Sequence, residues 1–371
     1  MSMNQEAYDL VVIGGGPAGT GGALAAAAFG KRVALVERES HVGGAGLNTG
    51  TIPSKALRES ALLISGWRAR KLLGVDLSLR REATVADLTR HEVDVRDAMR
   101  GQTETRMRER RMEAFHGNAA FADSHTIRVL QQAGRETLLV GHKILVATGS
   151  SPVRPPEFPF DHPRVHDSNE ILEIRELPKK LAVVGAGVIG SEYACTFAAL
   201  GVEVHLVDGR DVLLPFLDHE VSAAITTAMQ VAGVRFHWKE RVVACAAPEQ
   251  GDLVLSLSSG KQLAVTDVLV AAGRSSKTSE LNLGAAGLTP GKRGLLQVNE
   301  FFQTEIPHIY AAGDVIGAPA LAATSMEQAR VAVCHAFALL KKESEPDVSP
   351  QLLPVYQRVN KYIQLWNLHD V

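Results

Sequence analysis

Cysteine is nearly absent: Cys195, Cys245 and Cys334 are the only three in 371 residues. They lie too far apart for clustered zinc ligands, and an odd number does not suit a disulfide framework. No metal is expected, and a reducing cytoplasm is the expected compartment. Net charge is almost absent too, with 39 Lys and Arg against 41 Asp and Glu. That balance excludes a chain built mainly to neutralise nucleic-acid phosphates or an anionic membrane surface, so neither partner is expected. Aromatic residues make up only 5%. A basic leader with a small-residue cleavage site is also missing. Val11 to Gly30 is uncharged and long enough to span a bilayer by count alone, but it holds seven glycines and Pro17. It reads instead as a strand, a turn and a helix.

What the chain does have is glycine, 33 of them, and the most informative ones repeat. Tyr8 to Ile13 is an apolar strand run ending at Gly14-Gly15-Gly16-Pro17-Ala18-Gly19. An alanine-rich helix follows to Phe29, then Gly30, then a second strand ending at Glu37. Shifted by 171 residues the pattern returns without a gap. Leu181 to Val184 runs into Gly185-Ala186-Gly187-Val188-Ile189-Gly190, a helix to Leu200, Gly201, and a strand ending at Asp208. In both copies the acid lies eighteen residues past the third glycine.

Each feature of this pattern has a physical reason. The first glycine permits a tight turn, the second lets a pyrophosphate approach the backbone, and the third lets helix and strand pack closely. The helix N-terminus offers free N–H groups to the phosphates, and the acid takes ribose hydroxyls. A single such fingerprint is weak; two in register point to two dinucleotide sites. The expected fold class is therefore α/β with two Rossmann-like dinucleotide-binding domains. Lys143 to Gly149 and Asp267 to Gly273 are a second matched pair, apolar strands ending in small residues where backbone returns beside a bound nucleotide. The proline-rich stretch Ser151 to Pro163 reads as a linker. Periodicity predicts a polar helix from about Thr84 to Phe115. Its Arg106, Arg108, Arg110 and Arg111 alternate with Glu104, Glu109 and Glu113, which reads as a solvated face with a Glu104–Arg108 pair rather than a nucleic-acid patch.

Taken together, these motifs resemble the two-dinucleotide-binding-domain flavoproteins that include lipoamide dehydrogenase, glutathione reductase and mercuric reductase. Gly43 to Lys55 sits where that family carries its redox-active segment, and Ala311-Ala312-Gly313-Asp314 matches its second flavin motif. The resemblance implies FAD bound by Gly14, Gly16, Pro17, Ala18, Gly19, Glu37, Arg38, Gly44, Thr51, Lys55, Thr148, Gly149, Gly313 and Asp314. It implies NAD or NADP bound by Gly185, Gly187, Val188, Ile189, Gly190, Asp208, Arg210 and Gly273. The expected domains are 1–150 with 272–340 for FAD and 151–271 for NAD(P). In dithiol members cysteines stand at the positions of Gly46 and Thr51; this chain has neither, so disulfide relay is excluded. Segments 50–58, 213–218 and 314–328 resemble the soluble, FAD-containing pyridine nucleotide transhydrogenases, which implies hydride transfer between nicotinamide dinucleotides through flavin.

The resemblance also implies an ion pair between Lys55 and Glu192 beside the flavin's reactive edge. A catalytic role and a purely structural salt bridge are both open readings of it. Asp208 favours the free 2′-hydroxyl of NAD, so NADH is the expected better substrate; Arg210 is either the partner of an NADP 2′-phosphate or an exposed surface arginine. Two other functions stay open: an NADH diaphorase reducing quinones or dyes, and a catalytically impaired flavin-binding protein. The family homodimer interface is expected to be largely missing, since the match fades after about Leu340 and residues 341–371 show no interface motif. A natural shortening and a truncated product would both account for that.

Overall fold

A computed structural model describes residues 5–66, 84–131 and 134–339. Among these, two compact units separate. One takes the residues up to Leu47, Met99–Ser151 and those from Ser275 onward; the other takes Asn48–Ala98 and Pro152–Arg274. The 341–371 tail, and with it the expectation about a dimer interface, lies outside the described residues.

The first unit opens with strand β1 (Gln5–Ile13), helix α1 (Pro17–Ala28), strand β2 (Val33–Glu37) and the short helix α2 (Gly44–Asn48). Helix α3 (Thr51–Ile64) and the start of the polar helix α4 (Val85–Glu109) belong to the second unit; the end of α4 returns to the first, followed by strands β3 (Glu113–His116), β4 (Asn118–Phe121), β5 (Thr126–Leu130) and β6 (Glu136–Val146). The sheet order is β3-β2-β1-β6-β5-β4. Its pairs β3–β2, β2–β1 and β1–β6 are parallel, while β6–β5 and β5–β4 are antiparallel.

In the second unit, strands β7 (Val165–Asp167), β8 (Lys180–Val184), helix α5 (Val188–Ala199), β9 (Glu203–Asp208), helix α6 (His219–Val231) and β10 (Arg235–Trp238) precede a three-stranded antiparallel meander. The meander is β11 (Val242–Ala246), β12 (Leu253–Leu257) and β13 (Gln262–Val265), and β14 (Asp267–Val270) returns to the main sheet. That sheet, β10-β9-β8-β14-β7, is parallel throughout. The chain then re-enters the first unit, where β15 (Ile309–Ala311) adds in parallel to β6 and helix α7 (Ala322–Ala336) packs on the sheet face that α1 covers.

The central parallel strands of both sheets are buried on two faces, which is why runs such as Leu10–Ile13 and Leu181–Val184 are apolar at consecutive positions rather than at alternate ones. In β1, Val11 and Ile13 join one core with Ile144 and Ile309, while Leu10 and Val12 join another with the alanines of α1 and with Ala329 and Val333 of α7. In the second unit Leu181, Val183 and Leu206 pack under α5 and α3, through Phe197, Tyr193, Leu57 and Ala61. The opposite face, with Ala182, Val268 and Val270, is covered by Leu253, Leu255 and Leu257 of the meander.

The predicted polar helix needs two corrections. It ends at Glu109, and Glu113–His116 is a strand paired with β2. Arg111 takes a left-handed turn (φ +54°) that breaks the helix, and sheet pairing then outweighs the helical preference of the following residues. The Glu104–Arg108 pair does not form; Arg108 donates to Thr105 (3.3 Å) and Glu104 faces His41 at 3.9 Å. Arg106, Arg108, Arg110 and Arg111 are exposed, a solvated face as read. Among the described residues, no helix is long and apolar enough to cross a membrane, and no cluster of His, Cys, Asp and Glu could hold a metal ion.

Candidate dinucleotide sites

The two fingerprint turns have nearly the same geometry. Gly14 and Gly185 adopt φ of +104° and +110°, and a Cβ on either would sit 2.4 Å from the carbonyl oxygen of Ala147 or Ala271. A Cβ on Gly19 or Gly190 would fall 1.7 or 1.9 Å from the carbonyl of Gly14 or Gly185. Protein sterics therefore demand the first and third glycines. They do not demand the second. Gly16 and Gly187 are the N-cap residues of α1 and α5 and have extended backbones that any residue adopts. A Cβ on Gly187 would meet nothing within 4 Å, and one on Gly16 only Gly44 Cα at 3.8 Å. Room is kept in front of each helix N-terminus, where unpaired N–H groups and the positive dipole end favour an anion. A pyrophosphate fits both cradles.

The two acids also behave alike. Glu37 Oε2 accepts the N–H of Gly15 (2.8 Å) and Oε1 that of Glu39 (3.0 Å). Asp208 Oδ2 accepts the N–H of Ala186 (2.6 Å) and Oδ1 that of Arg210 (2.8 Å). Each carboxylate thus ties the end of a strand to the residue after the first glycine, a structural task that spacing alone does not reveal. The difference lies in what remains. A carboxylate has about four acceptor positions. Glu37 keeps some of its own, whereas Asp208 is also gripped by Arg210 through Nε (2.8 Å) and Nη2 (2.6 Å). Burial pushes the Asp208 carboxyl upward, but the Arg210 and Ala186 hydrogen bonds together outweigh it and leave the group below its ordinary value. Arg210, 45% exposed, is held as a bidentate counterion.

Around the first turn the structure gathers several of the other residues expected to hold FAD. Gly43 N–H donates to the Gly15 carbonyl (2.7 Å), and a Cβ on Gly44 would lie 2.7 Å from Gly16 Cα, so the start of α2 is fastened over the turn. Gly313 sits against Ala18, its N–H donating to Gln328 (2.9 Å). Asp314 accepts the hydroxyl of Ser150 at 2.6 Å, just after Thr148 and Gly149. Sequence reasoning missed Ser150 and Gln328, which carry no motif of their own. Thr148 Oγ1 is buried without a hydrogen-bond partner, the kind of orphan that a bound polar ligand satisfies. Arg38 lies on the surface between Glu39 (3.2 Å) and Glu280 (3.6 Å).

Thr51 and Lys55 belong to the second unit, on α3. Lys55 Nζ meets Glu192 Oε1 of α5 at 2.7 Å, so the expected ion pair is formed. Val188 and Ile189 open α5, and Gly273 has φ +110° where β14 ends. The family's thiol position is closed as well as empty: a Cβ on Gly46 would sit 2.5 Å from Pro17 Cγ. Burial pushes the Cys195 thiol up to about 11, against the pull of Arg58, and raises Cys245 too. All three cysteines are free; Cys195 and Cys245 pack against separate cores, and Cys334 is buried on α7.

Residues 8–335 match the model of the pyridine nucleotide-disulphide oxidoreductase family. The chain belongs to this family. Members of this pyridine nucleotide-disulphide oxidoreductase family use FAD and NAD(P)H, and the cradles above fit both. The chain is similar to a soluble pyridine nucleotide transhydrogenase of Mycobacterium bovis, 46% identical over 335 residues, covering 89% of this chain and 70% of that one. It is 42% identical to the protein of the same name from Chromohalobacter salexigens, with 88% and 70% covered. Among solved structures it is similar to LpdA of Mycobacterium tuberculosis, with a TM-score of 0.83 and 26% identity over 90% of this chain and 72% of that one. It is also similar to the HOCl-induced flavoprotein disulfide reductase RclA of Escherichia coli, with a TM-score of 0.79 and 27% identity over 91% and 73%.

Proposed function

We propose that this chain transfers hydride between NAD(P)H and NAD(P)+ through bound FAD, the activity named for its transhydrogenase relatives. Residues 1–150 with 272–340 hold FAD and residues 151–271 hold the nicotinamide dinucleotide. The observation that carries the reading is the duplicated cradle together with the missing thiols at Gly46 and Thr51. Two dinucleotide sites without a dithiol leave hydride exchange between dinucleotides as the chemistry to serve. Bound flavin supplies a ring that accepts and releases hydride.

The chain's own residues supply position and field. The N-termini of α1 and α5 fix the two pyrophosphates, and Glu37 and Asp208 lock the turns that present those N–H groups. Glu192 holds the Lys55 ammonium at a set place, where a fixed cation stabilises negative charge developing nearby. Three free cysteines suit a reducing cytoplasm as the working compartment. Anaerobic reduction of the purified yellow protein by NADH, followed by oxidation with an NADP+ analogue, tests the proposal. Bleaching and recovery of flavin absorbance are expected. Recovery with dyes or quinones but never with the analogue would make it a diaphorase, and a protein that binds no flavin would end both readings.

A further inference from the structure

The two copies of the fingerprint differ at the turn that follows the acid. In the first copy that turn is Arg38-Glu39, closed by Glu280. In the second it is Gly209-Arg210-Asp211, and a second segment, Lys239-Glu240-Arg241, runs beside it. Lys239 N–H donates to the Arg210 carbonyl (2.9 Å) and Glu240 N–H to the Asp208 carbonyl (3.2 Å). Three cations and three acids therefore meet at the end of β9. Their pairing leaves one of each, Arg241 and Glu240, outside an ion pair. Arg210 is held by Asp208, Lys239 Nζ faces Asp211 at 3.2 Å, and Glu240 accepts from Ser258 and Ser259. Arg241 is exposed, and its guanidinium has no acidic partner among the described residues. Its side chain lies across the turn because residue 209 has none: a Cβ there would be 3.0 Å from Arg241 Nε and 3.3 Å from its Cγ.

Resting on the dinucleotide reading above, we infer that Arg241, laid over Gly209, is the specificity-determining residue that reads a 2′-phosphate on the adenosine of the nicotinamide dinucleotide. The acid that ends the strand faces the adenosine ribose, so the turn just beyond it faces the 2′-oxygen. An unpaired Asp208 would repel a phosphate there. The bidentate Arg210 removes that repulsion and occupies the acceptor positions a free 2′-hydroxyl would use. The cation left outside an ion pair is then Arg241, and guanidinium is the side chain best matched to phosphate. The first copy, with Glu39 and Glu280 at the corresponding turn, offers no such cation, in keeping with a cofactor that carries no 2′-phosphate.

The probes are 2′,5′-ADP and 5′-AMP, titrated calorimetrically into the purified holoprotein. Wild type is expected to bind 2′,5′-ADP more tightly, with an advantage that shrinks as KCl is raised. Arg241→Ala should weaken 2′,5′-ADP about tenfold, the loss of a charge-assisted contact, and leave 5′-AMP unchanged. Arg241→Lys should restore part of the loss, and Gly209→Ala should reproduce a smaller version of it by displacing the guanidinium. Equal binding of the two probes by wild type, or an Arg241→Ala variant that weakens both or neither, would overturn the inference while leaving the dinucleotide site intact. A wild-type protein that binds neither probe would end the dinucleotide reading and this inference with it.

Discussion

The strongest test of the cradle compares two glycines three residues apart. Gly187 and Gly190 flank the first turn of α5, but only Gly190 is sterically required. In Gly190→Ala the new Cβ would lie 1.9 Å from a backbone oxygen of Gly185, which no rotamer change relieves. The helix must lift off the strand, at a cost of about 3 kcal/mol or more. For a unit of this size that is a melting temperature lower by roughly 6–12 °C. In Gly187→Ala the Cβ enters open space and the backbone is already extended. Reduced chain entropy favours alanine by about 0.4–1 kcal/mol, and the poorer N-cap opposes it by a similar amount, so stability should change little. Nucleotide binding should behave in the opposite way. The methyl group occupies the approach to the α5 N-terminus, and losing two phosphate contacts weakens NADH about 100-fold, about 2.7 kcal/mol. Thermal melts of both variants without nucleotide, and fluorescence titration of NADH into Gly187→Ala, measure the two effects. A Gly187→Ala protein that melts as low as Gly190→Ala, or that binds NADH like wild type, would refute the reasoning.

Further outcomes follow from the same geometry. Lys55→Met should lower stability by no more than about 1 kcal/mol, because the Lys55–Glu192 pair is partly exposed, yet slow flavin reduction by NADH at least tenfold; stopped-flow absorbance checks it, and an unchanged rate makes the pair structural. Thr148→Val keeps the shape and removes the orphan hydroxyl, so melting should be unchanged or higher while flavin is lost more readily on dialysis; full retention of flavin would show that the hydroxyl serves no ligand. The hydrogen-bonded His205 and His237 (2.9 Å) lie among Glu203, Arg235, Lys180, Glu240 and Lys261, and burial holds both rings below the ordinary histidine value. The unfolded chain therefore binds more protons just below pH 6.5, so stability is full above that pH and falls as pH drops through the folded values. His237→Gln should flatten the slope of melting temperature between pH 5 and 7, and an undiminished slope would count against the pair. Cys195 should resist iodoacetamide at pH 8 in the folded protein, since its thiol lies near 11; rapid alkylation would contradict its burial.

The parts of the fold that were legible in the chain are those whose backbone forces a residue choice. Gly14, Gly19, Gly185 and Gly190 admit no side chain, and the runs Leu10–Ile13 and Leu181–Val184 lie between two covered faces, so spacing and composition reported both turns and the strands that lead into them. What stayed hidden depends on long-range contacts with no sequence period. Ser150 meets Asp314 across 164 positions and Gln328 reaches Gly313 by way of a helix that packs late in the chain. The strand Glu113–His116 reads as helix because its charged residues fit the preceding pattern, and only the open edge of β2 pulls it into a sheet. Spacing marked Glu37 and Asp208 for ribose hydroxyls, and could not say that each carboxylate already braces its own glycine turn.

That bracing bears on how two copies of one turn could serve different dinucleotides. The shared features the backbone requires are two crowded glycines and an acid that accepts from the residue after the first glycine and from the residue two past itself; the open glycine is shared but not sterically required. The required features cannot vary without loosening strand from helix. Recognition must then be set by neighbours outside the brace, and that is where the copies diverge. The first turn has α2 fastened over it through Gly43 and Gly44, which encloses one side of its cradle and suits a ligand that stays. At the second turn a Cβ on Gly187 would meet open space, and a basic segment runs alongside the acid, which suits a ligand that comes and goes and is sorted by charge. A permanently bound electron carrier and an exchanging partner are the two parties hydride exchange requires. On the proposed function, the division of labour between the copies would rest on residues at the rim of each brace, with the brace itself kept constant.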